Sequence, residues 1–185
     1  LGNNGTVLNS TLRFNESSDE GGGIYHSSGK LVVRASVFEA NRALNNTSGG
    51  ALYVKDSCIM SNSTLVNNVA TASGGGIYHS SGYLLLSQTT ISGNAANGTG
   101  FYKGGGGIYC SSGNGFIENS TVTQNSANEG GGVYLKNGNL TFNSTIIAGN
   151  SASGLGKDGY KDGGTVSPSS SHNLVGKRNN FGMPA

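Results

Sequence analysis

The sequence predicts an all-β fold: a right-handed parallel β-helix (solenoid) of about six coils. Three observations predict it. A phrase of glycines followed by an aliphatic residue and tyrosine recurs along the chain, a second phrase closing on asparagine recurs out of phase with it, and a short apolar patch lies between the two. The period is roughly 25 to 27 residues. Composition agrees: 33 glycines and 11% charged residues in 185 positions are far from a globular average, yet the glycines cluster in runs such as Gly21-Gly22-Gly23 without the every-third spacing of collagen. β-branched runs between the glycines argue against disorder.

The first phrase reads Gly22-Gly23-Ile24-Tyr25, Gly50-Ala51-Leu52-Tyr53, Gly75-Gly76-Ile77-Tyr78, Gly106-Gly107-Ile108-Tyr109 and Gly131-Gly132-Val133-Tyr134. The patch after it is Leu31-Val32-Val33, Cys58-Ile59-Met60, Leu84-Leu85-Leu86, Phe116-Ile117 and Leu140-Thr141-Phe142. The second phrase runs from Ser10, Ser36, Ser63, Thr89, Ser120 and Thr145 to Asn15, Asn41, Asn68, Asn94, Asn125 and Asn150. Each period therefore holds three strands, too short and too β-branched for helices. Alternation points Leu12, Phe38, Leu65, Ile91, Val122 and Ile147 inward together with the Ser/Thr column, and points Thr11, Val37, Thr64, Thr90, Thr121 and Ile146 outward. The six asparagines close the strand at a turn, where left-handed dihedrals are tolerated and one amide bonds the next as a ladder. The long period before Asn125 carries Asn97-Gly98-Thr99-Gly100-Phe101-Tyr102-Lys103, expected as a loop thrown out from the stack.

The chain divides into repeats over residues 1–153 and a non-repeating segment over 154–185, a cap or connecting piece. It begins at Leu1 inside a repeat, which suggests a processed product or part of something longer. The formal net charge of +2 comes from scattered Lys and Arg with no basic stripe, so no nucleic acid is expected as a partner. No run approaches the roughly 20 apolar residues of a spanning helix, so no membrane span is expected.

These residues resemble the pectin-lyase-like superfamily of right-handed β-helices. More narrowly, they resemble the repeats of polymorphic outer-membrane proteins and autotransporter passenger domains, whose signatures are GGA plus an aliphatic residue, and FxxN. Gly49-Gly50-Ala51-Leu52 and Phe38-Glu39-Ala40-Asn41 match them literally, and the other coils match in degenerate form. The resemblance spans residues 1 to about 153 and is specific for fold. Ser171-His172-Asn173-Leu174-Val175-Gly176 resembles a closing segment found after such repeats, which implies a cap or a lead into an anchor.

Many members of that superfamily cleave acidic polysaccharides, chemistry that needs carboxylates gathered around Ca²⁺ with a basic residue, or a carboxylate pair for acid and base work. Glu39, Asp56, Glu118 and Glu129 fall on different coils and columns, and Glu16, Asp19 and Glu20 share a turn, so solvated turn charges are the expected reading and no catalytic residue is assigned. Asp158 and Asp162 suggest a calcium loop with an incomplete ligand alternation. His26 and His79 share an inward column but sit two coils apart, too far for one zinc, and Cys58 and Cys110 lie in different columns, too far for a disulfide. No cofactor or metal is expected.

Tyr25, Tyr53, Tyr78, Tyr109 and Tyr134 form an outward column, read first as mutual stabilisation and second as a platform for glycans. Ten positions match Asn-X-Ser/Thr: Asn4, Asn9, Asn15, Asn45, Asn46, Asn62, Asn97, Asn119, Asn139 and Asn143. In a glycosylating host, they mark expected modification at turns. Together these features predict a non-catalytic, extracellular or cell-surface module, structural or adhesive. Its expected partners are surface glycans and further copies joined head to tail into a filament, or the continuation of a longer rod. The alternatives are a polysaccharide lyase or hydrolase on the same fold, and a carbohydrate-binding module.

Overall fold

The computed structural model describes residues 2–100, 104–177 and 181–183, and it is a parallel β-solenoid of about six turns. Residues 101–103 of the expected extra loop, Phe101-Tyr102-Lys103, lie outside the described residues. Among the described residues all 26 strands belong to four parallel sheets. The first turn shows the plan, with strands Gly5–Leu8, Thr11–Arg13, Glu16–Ser17 and Ile24–His26, and each later turn lays its strands beside these in the same order. The third strand of each turn, such as Arg42–Ala43 or Val69–Ala70, corrects the expected three strands per period to four. Two residues are too few to show alternation, so the pattern hides it.

Alternation places the core as expected. Phe38, Leu65, Ile91, Val122 and Ile147 are fully buried, joined by Leu31, Leu52, Val54, Met60, Ile77, Leu84 and Leu86 from the adjoining sheets. Their registers run straight down the stack, for example Leu12 to Phe38 to Leu65 to Ile91. Parallel strands two to five residues long are stable only because every turn hydrogen-bonds to its neighbours and shares one continuous apolar interior.

The turns correct the placement of left-handed backbone. The ladder asparagines are not left-handed; the residue before each one is, at Phe14, Ala40, Asn67, Gly93, Gln124 and Gly149, with φ from 53° to 73°. A second such column, Asn9, Ala35, Asn62, Gln88, Asn119 and Ser144, precedes the inward Ser/Thr residues with φ of 47° to 49°. The repeated glycine pair has two separate causes. Gly49 sits at φ 75°, while a Cβ on Gly50 would lie 2.3 Å from the carbonyl oxygen of Gly75 in the next turn.

Beyond residue 153 the stack continues through strands lying between residues 159 and 175. Gly159–Lys161, Thr165–Val166 and Leu174–Val175 pair in register with Val133–Leu135, Asn139–Asn143 and Ile146–Ala148. Gly159 takes the place of the aliphatic residue, and the ring of Phe181 fills the space that its missing side chain leaves. Phe181 and Met183 are buried against the last turn, with Phe181 5.6 Å from the Phe142 ring.

Candidate functional site

Two hydrogen-bonded ladders hold the turns in register. In the first, each asparagine presents its backbone N–H and its Nδ2 to the Oδ1 of the asparagine one turn on. The series runs from Asn15 to Asn41, Asn68, Asn94, Asn125 and Asn150 at 2.7–3.1 Å. From Asn41 onward Nδ2 also donates back to a strand carbonyl, as Asn94 does to Leu65. The seventh rung is Asp158, whose Oδ1 accepts both donors of Asn150 and whose Oδ2 accepts Lys177 N–H. A carboxylate accepts without donating, so the series ends there with every group satisfied. Asp158 thus accepts three protein N–H donors with its two oxygens.

The second ladder was not foreseen. Each inward Ser or Thr hydroxyl donates to the carbonyl two residues earlier, and several accept the N–H of the preceding turn, as Ser36 Oγ does from Ser10 and Ser120 Oγ from Thr89. Asn173 closes it by accepting from Thr145 N–H. The recurrence of small hydroxyl residues at a core position was its signal, because a buried hydroxyl must find a partner.

On the outer face of the fourth sheet the tyrosine column is continuous, and Tyr160 extends it to six rings. Asp158-Gly159-Tyr160 is the first phrase with glycine in the aliphatic place, which is why a search for Ile, Leu or Val misses it. From Tyr53 to Tyr134 the rings stack at 4.7–4.9 Å with interplanar angles of 8–10°. Such stacking covers both faces of the inner rings, and Tyr109 and Tyr134 are buried where the sequence pattern placed an outward column, so a sugar has no free ring face along the middle of it. The end rings differ: Tyr25 is tilted by 32° and Tyr160 by 47°. Burial raises the hydroxyl pKa of Tyr53, Tyr109 and Tyr134; Tyr78 and Glu20 add to it at Tyr53, and Asp162 and Glu129 at Tyr134.

Inside the same sheet, His26 and His79 flank Val54 and are separated by that turn. Each has its own carbonyl, Gly29 for His26 Nε2 at 3.2 Å and Asp56 for His79 Nε2 at 3.1 Å. Burial pushes His79 down to about 4. His26 Nδ1 is buried without a hydrogen-bond partner among the described residues. Cys58 and Cys110 are free, buried in different sheets, and their thiols are pushed up to about 12 by burial. Among the described residues no group of three His, Cys, Asp or Glu side chains is placed to hold a metal ion. Glu39 and Glu118 end strands of different sheets, Asp56 sits in a bend, and Glu129 forms an isolated parallel bridge with Gly104.

Of the sequon asparagines, Asn4, Asn9, Asn15, Asn45, Asn46, Asn62, Asn97, Asn119 and Asn139 are exposed, and Asn143 is half-buried and accepts from Ser171. At Asn15 the Nδ2 that a glycan would occupy donates to Asn41.

No curated protein and no solved structure matches this chain. One family model does match, the Chlamydia polymorphic membrane protein repeat, over residues 62–80. That span begins at the left-handed Asn62, takes in Ser63, Leu65 and the ladder residue Asn68, and runs through Gly74-Gly75-Gly76 to Tyr78. It contains both repeated phrases and the corner joining them, so the chain carries this repeat in a solenoid of about six turns.

Proposed function

We propose that this chain is a non-catalytic structural and adhesive module displayed at a cell surface. The observation that carries the reading is the match to a repeat of membrane proteins over residues 62–80, set in a solenoid whose two ladders use its buried polar groups for stacking. Its carboxylates support it, because Glu39, Asp56, Glu118 and Glu129 do not converge. Beads coated with the protein should adhere to host-type epithelial cells, with soluble protein competing for attachment; equal attachment of uncoated beads would remove the adhesive role. Purified protein should leave polygalacturonate and alginate intact with or without calcium. Depolymerisation lost on changing Arg34, Glu39 or Asp56 would establish the lyase or hydrolase alternative instead.

Two finer features belong to this proposal. Glycans would sit on exposed sequons, foremost Asn45, Asn46 and Asn97, and a native mass above the bare 18.7 kDa would register them, whereas a mass equal to it would exclude them. Burial of Phe181 and Met183 against the last turn favours a rod module over a filament of copies joined end to end. Sedimentation without open-ended polymers at high concentration is the expected result, and polymers that lengthen with concentration would restore the filament.

A further inference from the structure

The outer face of the first sheet carries side chains that neither ladder uses. In its strands Lys30–Arg34, Ser57–Ser61, Tyr83–Ser87 and Asn114–Glu118, alternation turns Val32, Ile59, Leu85 and Phe116 outward. These four stack in register over four successive turns, with Thr6 and Thr141 at the same position on either side. The outward column of the adjoining sheet holds Thr11, Thr64, Thr90 and Thr121, so the solenoid itself does not require large apolar groups at such a position. All four are half-buried by one another, and Tyr83 beside them is 46% exposed. A contiguous apolar patch of this kind on an otherwise polar surface marks an interaction site.

The flanking columns give the patch a polarity. Two residues before it stand Lys30, Ser57, Tyr83 and Asn114, and two residues after it Arg34, Ser61, Ser87 and Glu118. Positive charge therefore gathers beside Val32 and negative charge beside Phe116, three turns or roughly 14 Å away. Among the described residues Arg34 and Glu118 make no ion pair within the chain. A second copy can face this sheet about a two-fold axis lying between the two faces, either along the stack or along the strands. An axis along the stack sets Lys30 against the partner's Arg34 and Phe116 against the partner's Phe116, a meeting of like charges and of the bulkiest groups. An axis along the strands reverses the stack. Arg34 then meets the partner's Glu118, Val32 the partner's Phe116, Ile59 the partner's Leu85, and Ser57 the partner's Tyr83. Small groups face large ones and the arginine faces a carboxylate. We infer that this face binds a second copy of the chain with its stack reversed, closing a two-fold dimer centred between Ile59 and Leu85.

Such a contact is isologous, so it stops at two copies and does not propagate. Seven strands of up to five residues make a face of roughly 17 by 34 Å, the small end of specific interfaces, so the dimer should dissociate on the order of tens of micromolar. The inference goes beyond the surface-module reading, and sedimentation reads pairing without any host cell, so failure of one is distinct from failure of the other. Sedimentation equilibrium of the full chain, over concentrations spanning that value, should show monomer and dimer alone. Leu85→Thr, which installs the residue that the column itself uses at both ends, should weaken pairing about ten-fold or more. Arg34→Glu and Glu118→Arg should each do the same, and the two changes in one chain should restore pairing to within about three-fold of the unaltered protein. Each variant is checked for an unchanged circular dichroism spectrum and unfolding midpoint. A monomer at every concentration, or species that grow beyond the dimer, overturns the inference, as does a dimer undiminished by Leu85→Thr and Arg34→Glu. Tighter pairing in Arg34→Glu, the result expected of an axis along the stack, or no recovery in the doubly changed chain, overturns the reversed arrangement.

Discussion

Asp158, in the glycine place of the first phrase, offers the ladder a carboxylate where an asparagine would offer an amide, and that difference decides where the ladder stops. Replacing it by alanine leaves Asn150 N–H, Asn150 Nδ2 and Lys177 N–H without their acceptor, two of them in a buried setting. The expected loss is about 2–4 kcal/mol in urea unfolding, and Asp158→Asn, which keeps Oδ1 but sets an NH₂ against Lys177 N–H, should lose less. His79 gives a pH signature. Its folded pKa of about 4 lies below the ordinary histidine value of 6.5, so the unfolded chain takes up a proton first as the pH falls. Stability from His79 is therefore complete above pH 6.5 and is lost progressively down through pH 4, about 3 kcal/mol in all. In His79→Leu, matching Leu135 in the same column, that slope should disappear from denaturation midpoints measured across this window.

At the scale of single strands and turns, the ladder should show unequal rungs. Asn94 is fully buried, accepts both donors of Asn68 and donates to Leu65, so Asn94→Ala should cost about 3 kcal/mol or more. Asn15, exposed on the first turn, should cost under about 1 kcal/mol on the same change, and equal losses would refute the ladder as a source of stability. The inward columns and the asparagine ladder were legible in the sequence because burial and amide pairing impose residue types at fixed spacing. Left-handed positions were not, since Phe14, Ala40 and Gln124 occupy them as readily as Asn67 or Gly93 and carry no compositional signal. The seventh rung escaped for another reason: Asp158 lies eight residues from Asn150, whereas earlier rungs are 25–31 apart, so periodicity points past it.

For the whole molecule, contacts limited to adjacent turns make the number of turns adjustable. Excising residues 69–94 joins Asn68 to Ala95, and the register Val69 to Ala95 and Leu65 to Ile91 shows that the next turn can take the vacated place. The shortened chain should keep a β-sheet circular dichroism spectrum and unfold with a urea m-value lower by roughly one-sixth. Loss of the folded spectrum would mean that this particular turn, the one bearing His79 and Leu84–Leu86, is indispensable as a nucleus.

The one-way direction of the asparagine ladder also bears on how the molecule answers tension. A pull on the segment after Val175 first removes Phe181 and Asp158, which exposes the donors of Asn150; each turn that then peels away strands the donors of the asparagine before it. Rupture should travel turn by turn toward the amino end, and a stretched single molecule should lengthen in a sawtooth of steps near 90 Å, the contour of about 26 residues. A molecule that yields in such instalments dissipates load while its remaining turns stay folded, the behaviour required of a tether that must hold a surface contact under flow.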